Sequence, residues 1–309
     1  MPNNISIQQL DSVEKIANYS KFRRLLHQPF KYISAILFRE LIYPRNQKEK
    51  IVVCNLFYGR KMVVALPAST DIYLTGGKSH TSEIRLARFL ILNLRAGDHF
   101  LDIGAHYGYF SLLGSEIVGA SGQVFSFEPA SKSHLLLQKN TANLANTTLF
   151  KKAISNSEEP LTFYEFPNLH SEYNASDVSQ FEQEPWFEKS QPQKVTVDAT
   201  TIDVITQSEH FYPEVIKIDV EGAEYDVIQG GMSFFQKYAP KIVMEYLEPN
   251  RKNETHQKAL VLLKSLGYNT HIIGKDGKLI QLDDIDSYLI SEKLESDNIV
   301  FVKDKNKIQ

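Results

Sequence analysis

One stretch limits the folds open to this chain: Phe100 to Glu128, FLDIGAHYGYFSLLGSEIVGASGQVFSFE. An apolar run ends at Asp102-Ile103-Gly104, and a second glycine follows at Gly108. Tyr107 to Val118 then carries apolar residues at Phe110, Leu112, Leu113, Ile117 and Val118, a spacing that predicts a helix packed on a sheet. Val124 to Phe127 reads as the next strand and delivers Glu128 to its carboxyl end. Such a strand, turn, helix and strand unit belongs in a doubly wound α/β sheet, where ligands bind beyond the carboxyl ends of the strands. Gly104 lacks a Cβ, so it can take a left-handed backbone angle and let a ligand approach the main chain.

A carboxylate about 20 residues past a glycine turn suits the two hydroxyls of a ribose, which favours an adenosine-containing cofactor. The glycines decide which one. A dinucleotide site wants Gly-x-Gly-x-x-Gly so that a pyrophosphate can rest on a helix N-terminus. Here Ala105 and His106 follow the first glycine, and Asp102 precedes it. An aspartate there repels pyrophosphate but suits a cation such as S-adenosylmethionine. A nicotinamide oxidoreductase is therefore the least favoured reading. The candidate cofactor residues of this unit are Asp102, Gly104, Ala105, His106, Gly108, Glu128 and Pro129.

A second stretch has the same form. Val215-Ile216-Lys217-Ile218 runs into the acidic turn Asp219-Val220-Glu221-Gly222-Ala223-Glu224, and a helix is expected from Tyr225 to Phe235. Together the two stretches resemble the FkbM-type methyltransferases, a family that depends on S-adenosylmethionine. The resemblance runs from about Glu83 to Glu245. It rests on a strand ending Asp-x-Gly-Ala-x-x-Gly-Tyr, a strand ending Glu-Pro, and a later Lys-x-Asp-x-Glu-Gly-x-Glu. His106 stands where the family usually has Asn, and its imidazole can still donate or accept a hydrogen bond. The resemblance implies a Rossmann-like class I methyltransferase sheet, mostly parallel, with an antiparallel strand near Asn298 to Val302. It places Ala153 and Ile154 beside the adenine, and the Lys-x-Asp-x-Glu-Gly block at the cofactor and substrate cleft. It also implies hydroxyl acceptors on polyketides and sugars.

Asp219 and Glu221 lie two residues apart at the end of one strand, so both side chains can point into one cleft. Crowded carboxylates raise one pKa and make a better base. Glu245 ends the neighbouring strand. Asp219 is the first choice for acid or base, with Glu221 and Glu245 shaping the pocket and His106 and His80 as imidazole alternatives. Helix capping alone can explain Glu221 and Glu224, and Lys217 can be no more than a buried partner of a carboxylate. The leading reading is O-methylation of a small molecule or glycan with no metal. A second makes Asp219, Glu221 and Glu245 a Mg²⁺ site for vicinal hydroxyls. A third is a non-catalytic scaffold that binds a protein or membrane surface.

With 309 residues the chain fits one large domain plus an extension: residues 1–80 as helix and β-hairpin, 81–303 as the methyltransferase domain, 304–309 as a polar tail. A net charge of −3 lacks the basic field of nucleic-acid binders. A single cysteine and no apolar signal segment lead to the expectation of a cytoplasmic protein. Phe30 to Tyr43 reads as an amphipathic helix too short to span a bilayer. It is expected to pack on the domain or on a second copy in a homo-oligomer, or to touch an anionic membrane surface through its flanking lysines and arginines. Gly76-Gly77-Lys78 lacks the first glycine of a phosphate loop and is discounted. Ser79 or Thr81 is expected to cap a helix running to Asn93, Thr148 to Ile154 is expected to form one strand, and Pro167 to Gln193 a mobile surface loop, with a cover over the substrate through Asn174-Ala175-Ser176 and Trp186 as the second reading.

Overall fold

The structure, a computed structural model, describes residues 5–182 and 184–303, so the polar tail at 304–309 lies outside the described residues. Its strands are β1 (Lys50–Asn55), β2 (Lys61–Leu66), β3 (His99–Ile103), β4 (Gln123–Phe127), β5 (Thr147–Phe150), β6 (Ala153–Ile154) and β7 (Leu161–Glu165). They continue with β8 (Gln193–Val197), β9 (Ala199–Thr200), β10 (Val215–Ile218), β11 (Lys241–Leu247), β12 (Tyr268–Ile273), β13 (Leu279–Gln281) and β14 (Ser296–Lys303). Eight of them form one sheet in the order β13-β12-β14-β11-β10-β3-β4-β5.

The run from β5 to β11 is parallel, and its inner strands are buried on both faces and largely apolar, as a sheet covered by helices on each side requires. β14 enters antiparallel beside β11, pairing Asn298 with Glu245, and β12 and β13 continue the antiparallel edge. The order reverses between β3 and β10. The carboxyl ends of β3, β4, β10 and β11 therefore open on one crevice, which holds Gly104, Glu128, Asp219 and Glu245.

One core lies under each face. The first joins Phe100, Leu112 and Leu113 to the helix Thr81–Asn93 and also to Leu10, Val13, Met62 and Val64. The first helix, Ile7–Ala17, and the β1–β2 hairpin thus share the core of the sheet. The second core holds Leu101, Phe125, Ile216, Met244 and Phe301 against the helices over the other face. Arg85 clamps the helix Thr81–Asn93 to β14 through Nη2, which donates to both carboxylate oxygens of buried Asp297 at 2.7 and 2.8 Å.

Four local expectations change. The helix over 225–235 is two helices, Glu224–Gln229 and Met232–Lys237, parted at Gly230-Gly231, where a Cβ at Gly230 would lie 2.0 Å from the Ser155 carbonyl oxygen. The expected strand over 148–154 divides at Lys151-Lys152: β5 stays in the main sheet and β6 pairs with β9. The helix Thr81–Asn93 starts without a side-chain cap, since the Ser79 amide donates to Asp71 Oδ2 at 3.1 Å and His80 occupies the cap position. The amphipathic helix begins at Pro29, passes through a π-helical turn at Phe38–Ile42, and ends at Asn46. No helix among the described residues is long and apolar enough to cross a membrane.

Candidate functional site

The turn after β3 is built from the chain's own hydrogen bonds. The amides of Gly104 and Ala105 both donate to the Phe127 carbonyl at 3.0 Å, that of Gly108 donates to Ala105 at 2.8 Å, and that of His106 donates to Glu128 Oε2 at 2.7 Å. A pyrophosphate would find these four donors already engaged. Gly104 has φ +76°, and a Cβ there would lie 1.8 Å from the Asp219 carbonyl oxygen. What needs the missing Cβ is therefore the crossing of the two turns after β3 and β10, and only secondarily a ligand.

Beneath the turn, Asp102 is fully buried. It accepts from the Ser111 hydroxyl at 2.6 Å and faces Lys217 Nζ at 3.4 Å. Lys217 Nζ also donates to the Gly104 carbonyl at 3.1 Å and pairs with Asp219 Oδ2 at 3.1 Å. The lysine thus ties both turns together from below. Asp102, Ala105 and Gly108 do not line the cavity, whereas Gly104, His106, Glu128, Pro129, Ala153 and Ile154 do. For Asp102 this revises the sequence reading: its charge meets Lys217 first, and it shapes the turn from beneath.

The cavity has a volume of about 480 Å³, within the usual range for a small-molecule site. Glu128 lies on its wall, 5% exposed, with its second oxygen accepting from the Ala130 amide at 2.9 Å. Burial pushes its carboxyl up to about 7, against the pull of those two amides and Lys217. Phe127, Ile154, Leu161 and Phe163 give the cavity an apolar lining. Asp219, Glu221 and Glu245 line it too, and one carboxylate oxygen from each lies within 4.8 Å of the others. An apolar slot, a carboxylate beside it and further acid beyond fit an adenine, a ribose and a cationic sulfonium with its ammonium.

The profile of the methyltransferase FkbM domain matches residues 102–270, more than half of the chain. The chain belongs to the FkbM methyltransferase family. It is accordingly an S-adenosylmethionine-dependent methyltransferase. Among solved structures, an FkbM methyltransferase from Methylobacillus flagellatus is 14% identical with a TM-score of 0.43, over 76% of this chain and 52% of that one. A S-adenosylmethionine-dependent O-methyltransferase from Thermotoga maritima is 14% identical at 0.39, over 82% and 77%. A precorrin-6y C5,15-methyltransferase from Geobacter metallireducens is 14% identical at 0.39, over 72% and 88%. No curated protein matches the chain.

In this FkbM methyltransferase the acidic turn is held open by its backbone. Glu221 and Gly222 both take left-handed angles, φ 53° and 97°, a conformation that costs a non-glycine residue about 1 kcal/mol or more. The buried Glu224 below them accepts from the Gly222 amide at 3.1 Å and pairs with His256 Nε2 at 3.3 Å. The three carboxylates are not equivalent. Burial works against the charge of Asp219, but Lys217 and Lys78 outweigh it and hold the group below its usual range. Burial, then Glu245 and Asp219, drive Glu221 well up. Glu245 is pushed up to about 8 by burial and by Asp219, while the Ser296 hydroxyl donates to it at 2.7 Å. His106 stacks on Tyr107 with ring centroids 3.7 Å apart, and burial and nearby Lys78 drive it down to about 3. It is a neutral imidazole near pH 7 and a poor base.

Two parts of the wall come from places where, apart from His80 as an imidazole alternative, the sequence pointed to no catalytic residue. Lys78, His80, Ser82 and Glu83 line the cavity, with Lys78 Nζ 3.2 Å from Glu83 Oε2. The glycine pair before them is the trace of this turn: Gly76 takes φ +81°, and Gly77 packs against the Tyr109 hydroxyl. The second part is the segment expected to be a mobile loop. Ser171, Glu172, Tyr173, Asn174 and Ser176 line the cavity, and Phe166, Phe181, Trp186 and Phe187 cluster behind them. Arg251 pairs with Glu184 at 3.1 Å, and Lys252 donates to the Ser179 carbonyl at 2.7 Å, tethering this cover to the end of β11.

Proposed function

We propose that the protein transfers the methyl group of S-adenosylmethionine to a hydroxyl of a small molecule or glycan. The observation that carries this reading is the group of three carboxylates within 4.8 Å of one another, with unequal affinities for a proton, in the same cavity as Glu128. The bound cofactor supplies an electrophilic methyl group on a sulfonium. A hydroxyl oxygen that takes that methyl must give up its proton, and Glu245 is the carboxylate fitted to accept it, because burial and Asp219 push it up to about 8, close to a neutral working pH. Asp219, the first choice from sequence, is too well held as an anion by Lys217 to be a good base. It instead presents fixed negative charge to a cation. Glu128 binds the ribose hydroxyls, and Ala153 and Ile154 pack beside the adenine.

Lys78 and Lys152 are outnumbered on the wall by Asp71, Glu83, Glu172 and the three carboxylates. That balance disfavours phosphorylated or carboxylated acceptors and suits neutral polyols. Incubation with methyl-labelled S-adenosylmethionine and a panel of glycosides, hydroxylated polyketides, amines and organic acids tests the reading. Label in an ether of a neutral hydroxyl compound is expected. Label only in amines, or at carbon, would sink it.

Glu128→Ala is expected to weaken binding of S-adenosylhomocysteine by at least about tenfold, roughly 1.4 kcal/mol, in calorimetric titration. Unchanged affinity would remove Glu128 from the cofactor site.

The proximity of the carboxylates also favours a second reading, in which Asp219, Glu221 and Glu245 hold a divalent cation that binds vicinal hydroxyls. The two readings part on chelation. Proton transfer to Glu245 predicts turnover that is indifferent to EDTA. Loss of turnover in EDTA, restored by Mg²⁺, would put the metal reading first.

A further inference from the structure

We propose that the segment from Lys21 to Arg45 is a docking surface for an anionic lipid bilayer. It consists of the helices Lys21–His27 and Pro29–Leu37, the π-helical turn Phe38–Ile42 and the short helix Tyr43–Asn46. Its inner side is fully accounted for: Phe38 and Tyr43 are buried against Leu66, with Val52 and Tyr73 packed on them. The outer side is apolar as well. Phe22, Leu26, Phe30, Ile33, Leu37 and Leu41 are 68, 65, 88, 46, 47 and 50% exposed. Phe22 and Leu26 are four residues apart, and Phe30, Ile33, Leu37 and Leu41 follow at intervals of three, four and four, which in a helix places each set along one side. Single exposed apolar residues are ordinary, but six in one short segment are not.

Charge identifies what covers this side. From Lys21 to Lys50 the sequence has eight lysines and arginines against two glutamates, in a chain whose net charge is −3. A segment that is basic and apolar together matches the interface of a bilayer with anionic headgroups, where rings and aliphatic chains enter the acyl boundary and cations stay among the phosphates. A second copy of the chain fits less well, because a twofold interface sets the same patch against itself and brings its positive charges together. The segment also abuts the cover of the cavity: the Tyr43 hydroxyl accepts from the Leu169 amide at 3.3 Å, two residues before Ser171 on the cavity wall.

Co-sedimentation of the full chain with vesicles tests this. The protein is expected to pellet with phosphatidylcholine vesicles containing phosphatidylglycerol and to remain in the supernatant with phosphatidylcholine alone, and binding should fall as salt is raised. The double variant Phe30→Ser, Leu37→Ser should lose about tenfold or more of the partition at unchanged Tm. The exposed pair Arg23→Gln, Arg39→Gln should lose the preference for anionic vesicles and serves if the first variant fails to fold. Absence of vesicle binding by the parent protein overturns the proposal. So does sedimentation of the parent as a dimer that Phe30→Ser, Leu37→Ser converts to a monomer without any vesicle binding, which would assign the surface to a second copy.

Discussion

Glu245→Gln is expected to lower kcat by about 10²- to 10⁴-fold, the usual range for loss of a general base, with the affinity for S-adenosylhomocysteine nearly unchanged. The amide keeps the shape and the hydrogen bond from Ser296, but it cannot take a proton. The pH dependence follows from the same group. Below about 8 the Glu245 carboxyl holds its proton and cannot accept another, so turnover of the parent enzyme should rise with pH through that value. In the variant this rise should vanish. A variant that keeps the parent profile would show that the proton goes elsewhere, with Glu221 the next carboxylate to test because burial and its acidic neighbours raise its affinity for a proton as well.

Gly104→Ala should damage fold and cofactor binding together. The residue has φ +76°, where a side chain costs about 1–2 kcal/mol, and the added carbon would fall 1.8 Å from the Asp219 carbonyl oxygen, a backbone atom that no rotamer change can move aside. Adding about 1–3 kcal/mol for the overlap gives a loss of roughly 3 kcal/mol, or on the order of 6 °C in Tm for a chain of this size. The turn bearing Asp219 must retreat from the turn bearing His106. Affinity for S-adenosylhomocysteine should therefore fall with stability. Parent-like Tm and affinity would mean that the two turns do not touch in solution.

Much of the central sheet was legible in the sequence because its signals are local. An apolar strand that ends in Asp-Ile-Gly, and another that ends in Asp-Val-Glu-Gly, announce their turns within a few residues, and Glu128 follows at a readable distance. Those signals named nearly every carboxylate of the cavity wall at the ends of the strands. They did not rank them: Lys217 lies only two residues from Asp219, but Glu245 is raised by burial and by the charge of Asp219, which reaches it only once β10 and β11 are paired in the fold. Lys78 and Glu83 were invisible as wall residues because their placement depends on a hairpin and helix packing over the sheet, with no motif of their own. The segment from Pro167 to Gln193 was only partly legible for a related reason. Its aromatic residues have neither helical nor strand spacing, and they form a cluster only once Phe166 and Trp186 have been brought together.

That cluster has a practical consequence. The sequence contains a single tryptophan, and it is the half-buried Trp186, stacked on His170 at 4.2 Å and on Tyr173 at 4.9 Å, with Tyr173 on the cavity wall. Emission excited at the red edge of the indole band comes from that one ring. The protein thus carries its own optical reporter, two side chains deep from any molecule that enters the cavity, and occupancy can be followed in real time without a label.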